Sequence, residues 1–347
     1  MKYDVVALGE LLIDFTIDGK SNQGNNTYEA NPGGAPCNVL AMLNKMNKKT
    51  AFIGKVGNDA FGQILKKTID DVGIDSKGLM FDEHVNTTLA FVNIDENGER
   101  SFSFYRNPGA DMMLTEEEVD FEIIKNAKIF HFGTLSMTHE KVRMATKRAI
   151  DEAKKRNILI SFDPNLRPLL WEDLNLAREQ IDFGCSVCDI LKIEDEEAKF
   201  LTNCDNIEEA VEILKNKYNI KIILLTAGSK GSTAYYKDLV VKQEAYLQSN
   251  TIDTTGAGDT FCGSCLGYII ENDIDNLNED ITDLKISVSS FNESEMSIQE
   301  MSEMINKEIE THTKNVEIKK AQIEKDEKEN VELEKQIEDT KKQIEEI

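Results

Sequence analysis

The chain has 347 residues, and its 64 acidic against 40 basic side chains leave a formal charge of −24. That balance repels phosphate backbones and anionic lipid, so neither nucleic acid nor a membrane surface is expected as a partner. The length accommodates one large α/β domain plus an extra segment, and no apolar run is long enough to span a membrane.

The first residues, Met1-Lys-Tyr-Asp-Val-Val-Ala-Leu-Gly-Glu10, read as a strand and lack the profile of a secretory signal, so a cytoplasmic location is expected. Short, largely continuous apolar runs recur at Val5–Leu8, Ala51–Val56, Ile129–Phe132, Ile158–Phe162, Ile190–Ile193 and Ile222–Leu225, as in strands buried on both faces. Amphipathic helices lie between them. One starts with Asp59 as N-cap and stops at Gly73, another follows Thr138 and ends near Asn157, and Thr115 and Glu118 have capping-box spacing. Alternating β and α units predict a mostly parallel sheet with helices on both faces. Leu89–Asp95 and Arg100–Tyr105 break the alternation as period-2 strands around Asn97-Gly98, a hairpin placed to act as a lid.

Residues 253–260, Asp-Thr-Thr-Gly-Ala-Gly-Asp-Thr, precede the apolar helical positions Phe261, Leu266, Ile269 and Ile270. Small residues let the amides of Gly256, Ala257 and Gly258 converge at a helix N-terminus, where unpaired N–H groups and the dipole favour an anion. Asp259, just inside this anion hole, suits a general base for an attacking hydroxyl, and the two together equip the chain for phosphoryl transfer to an alcohol. The plainer alternative is a Gly-rich turn capping a core helix.

Two Cys-x-x-Cys pairs, Cys185/Cys188 and Cys262/Cys265, have no zinc-ribbon or knuckle spacing and read as buried thiols in a reducing compartment. His84, His131, His139 and His312 form no cluster.

From Thr282 to Ile347 there is no Gly, Pro, Trp or Tyr. Ile309, Val316, Ile323, Asn330, Ile337 and Ile344 fall at seven-residue intervals, one position of a coiled-coil seam with a register-setting Asn. The companion position (Ile305, His312, Lys319, Asp326, Leu333, Thr340, Ile347) is mostly polar, so a solvated charged helix stands as the alternative. A seam of this kind would make the chain a homo-oligomer through its C-terminal helix.

The octapeptide closely resembles the C-terminal signature of the ribokinase-like (PfkB) family of sugar kinases, and the resemblance extends over roughly residues 3–281. Gly33-Gly34-Ala-Pro-Cys-Asn38 resembles the family's Gly-Gly-x-x-x-Asn sugar-binding turn, and Gly54-Lys-Val-Gly57-x-Asp59-x-x-Gly62 part of its N-terminal signature. Segments around Asp14, Arg106-Asn107-Pro-Gly-Ala-Asp111 and Asp163-Pro-Asn165-Leu-Arg167 look more like fructokinases than ribokinases. The resemblance implies a small β-sheet lid from strands around 15–30 and 87–106, and sugar binding by Asp14, Gly33, Gly34, Asn38 and Arg106 together with the base Asp259. A solvated surface arginine is the alternative for Arg106. Asn165 and Arg167 are implied phosphate contacts.

Lys192-Ile-Glu194-Asp-Glu-Glu197 aligns with the family's Asn-x-x-Glu element, except that Glu194 stands where the family has Asn. Thr226-Ala-Gly228-Ser-Lys-Gly231 resembles its nucleotide loop. By resemblance Lys192, Glu197, Thr226, Gly228 and Gly231 contact ATP, and Glu197 and Asp253 hold Mg2+, partly through water, with a monovalent cation as a further candidate.

The implied reaction is ATP-dependent phosphorylation of a sugar hydroxyl, with fructose going to fructose 6-phosphate. The alternatives are 2-keto-3-deoxygluconate or ribose as substrate, or a crippled kinase domain carried on an oligomerising helix. Nothing in 282–347 resembles the family's last helices. An incomplete adenine wall is therefore expected, with the helix from Ala257 to Ile270 short of a packing partner.

Overall fold

A computed structural model of the chain describes residues 2–94, 100–245 and 256–272. In chain order β1 (Tyr3–Leu8), β2 (Leu12–Lys20) and β3 (Asn26–Gly33) lead to α1 (Ala35–Lys45), β4 (Thr50–Gly57), α2 (Ala60–Val72) and β5 (Asp75–Asp82). The paired strands β6 (Leu89–Ile94) and β7 (Arg100–Tyr105) come next, then α3 (Phe121–Lys125), β8 (Ala127–Gly133), α4 (Glu140–Lys155), β9 (Leu159–Asp163) and α5 (Leu174–Val187). β10 (Ile190–Glu194), α6 (Asp195–Thr202), α7 (Ile207–Lys217), β11 (Ile222–Thr226), β12 (Ser232–Tyr236), β13 (Leu239–Gln243) and α8 (Ala257–Glu271) complete the series.

The strands form a nine-stranded sheet in the order β13-β12-β11-β10-β9-β8-β1-β4-β5 and a four-stranded sheet in the order β3-β2-β6-β7. The large sheet is parallel from β11 to β5, and β12 and β13 run antiparallel at its edge. Alternate residues of one strand enter different cores, as the period of two requires. Val5 and Ala7 pack with α1, α2 and α8, while Val6 and Leu8 pack with α3 to α7. This is the expected doubly covered α/β architecture, and the small sheet supplies the strands expected for a lid.

The local signals behave as their chemistry demands in most places. Asp59 caps α2 by accepting the Gly62 N–H at 2.8 Å, and Gly73 ends the helix in the left-handed region. Thr115 and Glu118 bracket a single 3-10 turn rather than a full helix, with the Thr115 N–H donating to Glu118 at 2.9 Å. Cys185 lies within α5 and Cys188 at its C-cap, both buried free thiols as expected. Strands β5, β12 and β13 carry no clear sequence signal: β5 opens with Asp75-Ser-Lys-Gly78, and the edge pair is half-exposed, so neither presents a continuous apolar run. The turn at Asn97-Gly98, the residue Asp253 and the heptads of 282–347 lie outside the described residues.

Among the described residues helix α8 packs on α1. Cys262, Leu266 and Ile269 are buried in one core with Val39, Leu40 and Leu43. The helices meet closely because α8 is glycine-lined there. A Cβ on Gly263 would lie 2.7 Å from the Val39 carbonyl oxygen and 2.9 Å from the Met42 Cβ. Gly263→Val should therefore push α8 off α1 and cost about 1–3 kcal/mol, the usual range for overpacking. Urea unfolding measures it; an unchanged midpoint would mean that the crossing does not bear on stability.

Candidate active site

The C-terminal edge of a parallel sheet is where ligands sit in open α/β folds. Here register lines up polar residues along that edge: Gly133 stands opposite Asp163, and Glu194 opposite Thr226. Glu10 follows β1 in the same row.

Asp259 occupies the first turn of α8, whose N-cap is Gly256. Gly256 has φ 76, a left-handed conformation that glycine adopts without steric cost, and no side chain caps the helix. The first amides of α8 thus lack intrahelical partners and stay available to an anion. Asn38 of α1 donates from Nδ2 to Asp259 Oδ2 at 2.8 Å, which fixes the carboxylate. Burial pushes the Asp259 pKa up to about 6; the Asn38 hydrogen bond and the charges of Lys192 and Arg167 oppose that, and Asp163 adds to it.

The turn before α1 is built tightly. Gly34 has φ 125, and a Cβ there would lie 2.5 Å from the Glu10 carbonyl oxygen. A Cβ on Gly33 would overlap the carboxylate of Asp14, which β2 presents beside it. Glu10 Oε1 accepts the Ala35 N–H at 3.0 Å, and burial pushes this carboxyl up to about 7. Glu10, Ala35, His131, Thr134, Asp163 and Asn165 line a cavity of about 10 Å3, the space of one water molecule. His131 is buried with Nδ1 3.0 Å from Ser161 Oγ, and burial lowers its pKa to about 3, so the ring is neutral.

Lys192, buried near the end of β10, lies 3.2 Å from Asp163 Oδ2 and 3.7 Å from Glu194 Oε1. Burial alone would favour its neutral form, but Asp163, Glu197 and Glu194 outweigh that and keep it charged. Glu197 is held by two amides, accepting from Leu166 at 2.6 Å and from Glu194 at 2.9 Å. Burial, with Asp163 second, pushes it up to about 7. Asn165 adopts a positive φ of 44 just past β9, and Arg167 is exposed with its charge acting on Asp259. Thr226 ends β11 with its buried hydroxyl lacking a hydrogen bond among the described residues, and the following 3-10 turn opens with Gly228 and is capped by Gly231.

Arg106 is not a surface arginine. Its side chain is 2% exposed, and its guanidinium is 2.7–2.8 Å from Asp111 Oδ2 and 2.9 Å from both Thr138 Oγ1 and the Leu135 carbonyl. Those contacts occupy four of its five donors and tie the base of the small sheet to the loop after β8. Two residues central to the site, Asp163 and Glu10, stand outside the sequence-based candidates. Each is an acid directly after a buried apolar run, a weak signal that only the sheet register makes specific.

Comparison with known proteins supplies the context for this geometry. The model of the "pfkB family carbohydrate kinase" matches residues 2–282. The chain belongs to the pfkB family of carbohydrate kinases. Fructokinase-2 of Oryza sativa subsp. japonica is 41% identical over 278 residues, which cover 80% of this chain and 82% of that protein. Among solved structures, the Xylella fastidiosa fructokinase with bound ATP superposes with a TM-score of 0.71 at 28% identity, covering 78% of this chain and 82% of that one. A Vibrio cholerae fructokinase double mutant, in a form with fructose, ADP and potassium ion bound, gives 0.70 at 30% identity, covering 78% and 84%. As in its relatives, this kinase's fold is the ribokinase-like α/β sandwich with a second small sheet.

The electrostatics of Asp259 can be read without substrate. Its carboxyl should titrate near pH 6 by 13C NMR of the protein. Asn38→Ala removes a hydrogen bond that favours the ionised form, so the midpoint should move up. A wild-type midpoint near 4 would mean that the carboxylate is solvated like an ordinary aspartate.

Proposed function

We propose that this chain transfers the γ-phosphoryl group of ATP to the terminal hydroxyl of fructose, giving fructose 6-phosphate and ADP. The observation that carries the reading is Asp259, fixed by Asn38 at the uncapped start of α8 and tuned toward neutral pH. A carboxylate with that pKa is ionised at pH 7 yet basic enough to accept a proton as a hydroxyl attacks. The fructokinase relatives support fructose, and the ATP- and fructose-bound solved structures support the pair of substrates.

In the step, the sugar oxygen forms a bond to the γ-phosphorus while the bond to the β,γ-bridging oxygen breaks, its electron pair leaving with ADP. The hydroxyl proton passes to Asp259. The α8 amides of Gly256, Ala257 and Gly258 stabilise charge on the phosphoryl oxygens. Asp14, Gly33, Gly34 and Asn38 hold the sugar; Asn165 and Arg167 approach its phosphate end, and Thr226, Gly228 and Gly231 lie along the nucleotide. Arg106 serves the sugar site mainly by holding the base of the small sheet, with one donor left for substrate. That sheet acts as the lid that keeps water out.

Among the described residues no three His, Cys, Asp or Glu side chains gather as a metal cage, and both oxygens of Glu197 already accept amides. In this reading Mg2+ enters with the substrate as MgATP, where it would neutralise phosphate charge. By the family resemblance Glu197 and Asp253 would hold it, partly through water, and a monovalent cation is a further ligand of this reading.

Asp259→Asn keeps the shape and removes the proton acceptor. Turnover measured by ADP release should fall by at least about 10²–10⁴-fold. Calorimetric affinity for fructose should stay within severalfold, whereas a near-normal kcat would sink the mechanism.

The segment 282–347, which follows the kinase domain in sequence without resembling the family's last helices, is proposed to self-associate through the Ile309–Ile344 stripe. The full chain should then sediment as an oligomer, and Ile323→Asp with Ile337→Asp should return it to monomer. If those helices are what walls adenine, an unhydrolysable ATP analogue should bind more weakly than to intact relatives, each 1.4 kcal/mol of lost contact being tenfold. A chain that is monomeric before substitution removes the seam.

A further inference from the structure

Helix α1 starts without a cap of its own. Gly34 is its N-cap residue, its first turn holds no acid, and no side-chain cap hydrogen bond forms within it. The first N–H groups of a helix have no intrahelical partner, and Pro36 contributes none. Glu10, just past β1, supplies the missing acceptor from 25 positions away: its Oε1 takes the Ala35 N–H at 3.0 Å. Two close approaches fix the span of that bond. A Cβ on Gly9 would lie 2.6 Å from Pro36 Cγ, and one on Gly34 2.5 Å from the Glu10 carbonyl oxygen. Ala35 in turn stands between the Gly33-Gly34 turn, which crowds Asp14, and Asn38, which holds Asp259.

This carboxylate is costly where it stands. Glu10 is 3% exposed, and acids are almost never buried so deeply unless paired. Burial raises its pKa from 4.5 to about 7, with Asp111 adding to the rise; its own backbone N–H, the charge of Arg106 and the Ala35 amide oppose it. The Cys37 thiol lies near it on α1, and across the cavity of about 10 Å3 stand the neutral His131 ring and Asp163. Between pH 4.5 and 7 the folded chain therefore holds a proton on Glu10 that the unfolded chain has lost, so ionising it lowers stability as pH rises through that window. A glutamine would accept the same amide without the cost. The charge contributes something else: a stronger grip on the amide and attraction to the positive end of the α1 dipole.

Resting on the kinase reading above, we infer that Glu10 is a positioning residue for the sugar, which acts through the Ala35 amide to set Gly33, Gly34 and Asn38 against the bound hydroxyls and does so best when ionised. The sugar then selects ionised Glu10 and releases a proton on binding near neutral pH. Its affinity falls as pH drops through the titration of Glu10. The difference is that of a charge-assisted against a neutral hydrogen bond, about fivefold in affinity. Glu10 touches neither sugar nor nucleotide in this role, so turnover of the bound sugar is left alone.

Asp259 also titrates in this range, so fructose binding is measured by calorimetry on Asp259→Asn, alone and with Glu10→Gln. In the Asp259→Asn protein the affinity should fall about fivefold from pH 8 to pH 6, with proton release shown by buffers of different ionisation enthalpy. Adding Glu10→Gln should leave a pH-independent affinity at the weaker level, with a melting temperature at pH 8 no lower than before. In the otherwise wild-type chain at pH 8, Glu10→Gln should raise the KM for fructose about fivefold and keep kcat within about twofold. A pH dependence that survives Glu10→Gln, or a fall in kcat at constant KM, would overturn the inference. If Glu10→Gln does not fold, the 15N shift of the Ala35 amide in Asp259→Asn decides. Its midpoint near 7 should move down when fructose saturates the site, and an unmoved midpoint overturns the inference. If no sugar binds, the kinase reading fails, and the same amide still decides for the free chain. A midpoint near 7 upholds Glu10 as the group that holds the turn, and a flat response overturns it.

Discussion

A single buried ammonium makes the rest of the site electrostatically tolerable. Asp163, Glu197 and Asp259 all lie within electrostatic reach of Lys192, and burial first, with Asp163 adding to it, pushes Glu197 and Asp259 toward protonation. Without the cation, closely placed anions in a poorly solvated edge of the sheet would neutralise by taking up protons. With it, Asp259 settles near pH 6, a value at which it is charged in neutral solution and still basic. The basicity of Asp259, the proposed proton acceptor, is therefore a property of the cluster and not of Asp259 alone.

That cluster can exist because the backbone around it is compressed. Gly34 and Gly256 take conformations open to few other residues, and Gly258 and Gly263 let Lys192 and α1 approach α8. The start of α8 is thereby held on two sides, by the Asn38 side chain and by the α1 backbone. Loss of helix propensity and of chain entropy at these glycines is offset by the two cores, which bury both faces of the parallel strands. Arg106 plays the corresponding part for the small sheet, anchoring its base through Asp111 and Thr138. The arginine that sequence offers as a surface group or sugar contact is thus chiefly a buried strut.

The sequence by itself determined the alternating strands and helices, the antiparallel pair β6 and β7, the caps of α2, and the glycine turn that opens α8 with its acid. These are local facts: periodicity, capping chemistry and a glycine turn are legible within ten residues of chain. It also carried the family, because Gly33-Gly34, Asn38 and Gly256–Asp259 stand at recognisable spacings. Only the tertiary structure decided which polar residues work together. Asp163, Lys192 and Thr226 lie in separate strands and Glu10 just past another, and parallel register alone puts these strand ends in one row. An acid after an apolar strand reads the same whether it faces solvent or an ammonium, since burial and partner charge, which fix its pKa, are set by the packing of strands distant in sequence.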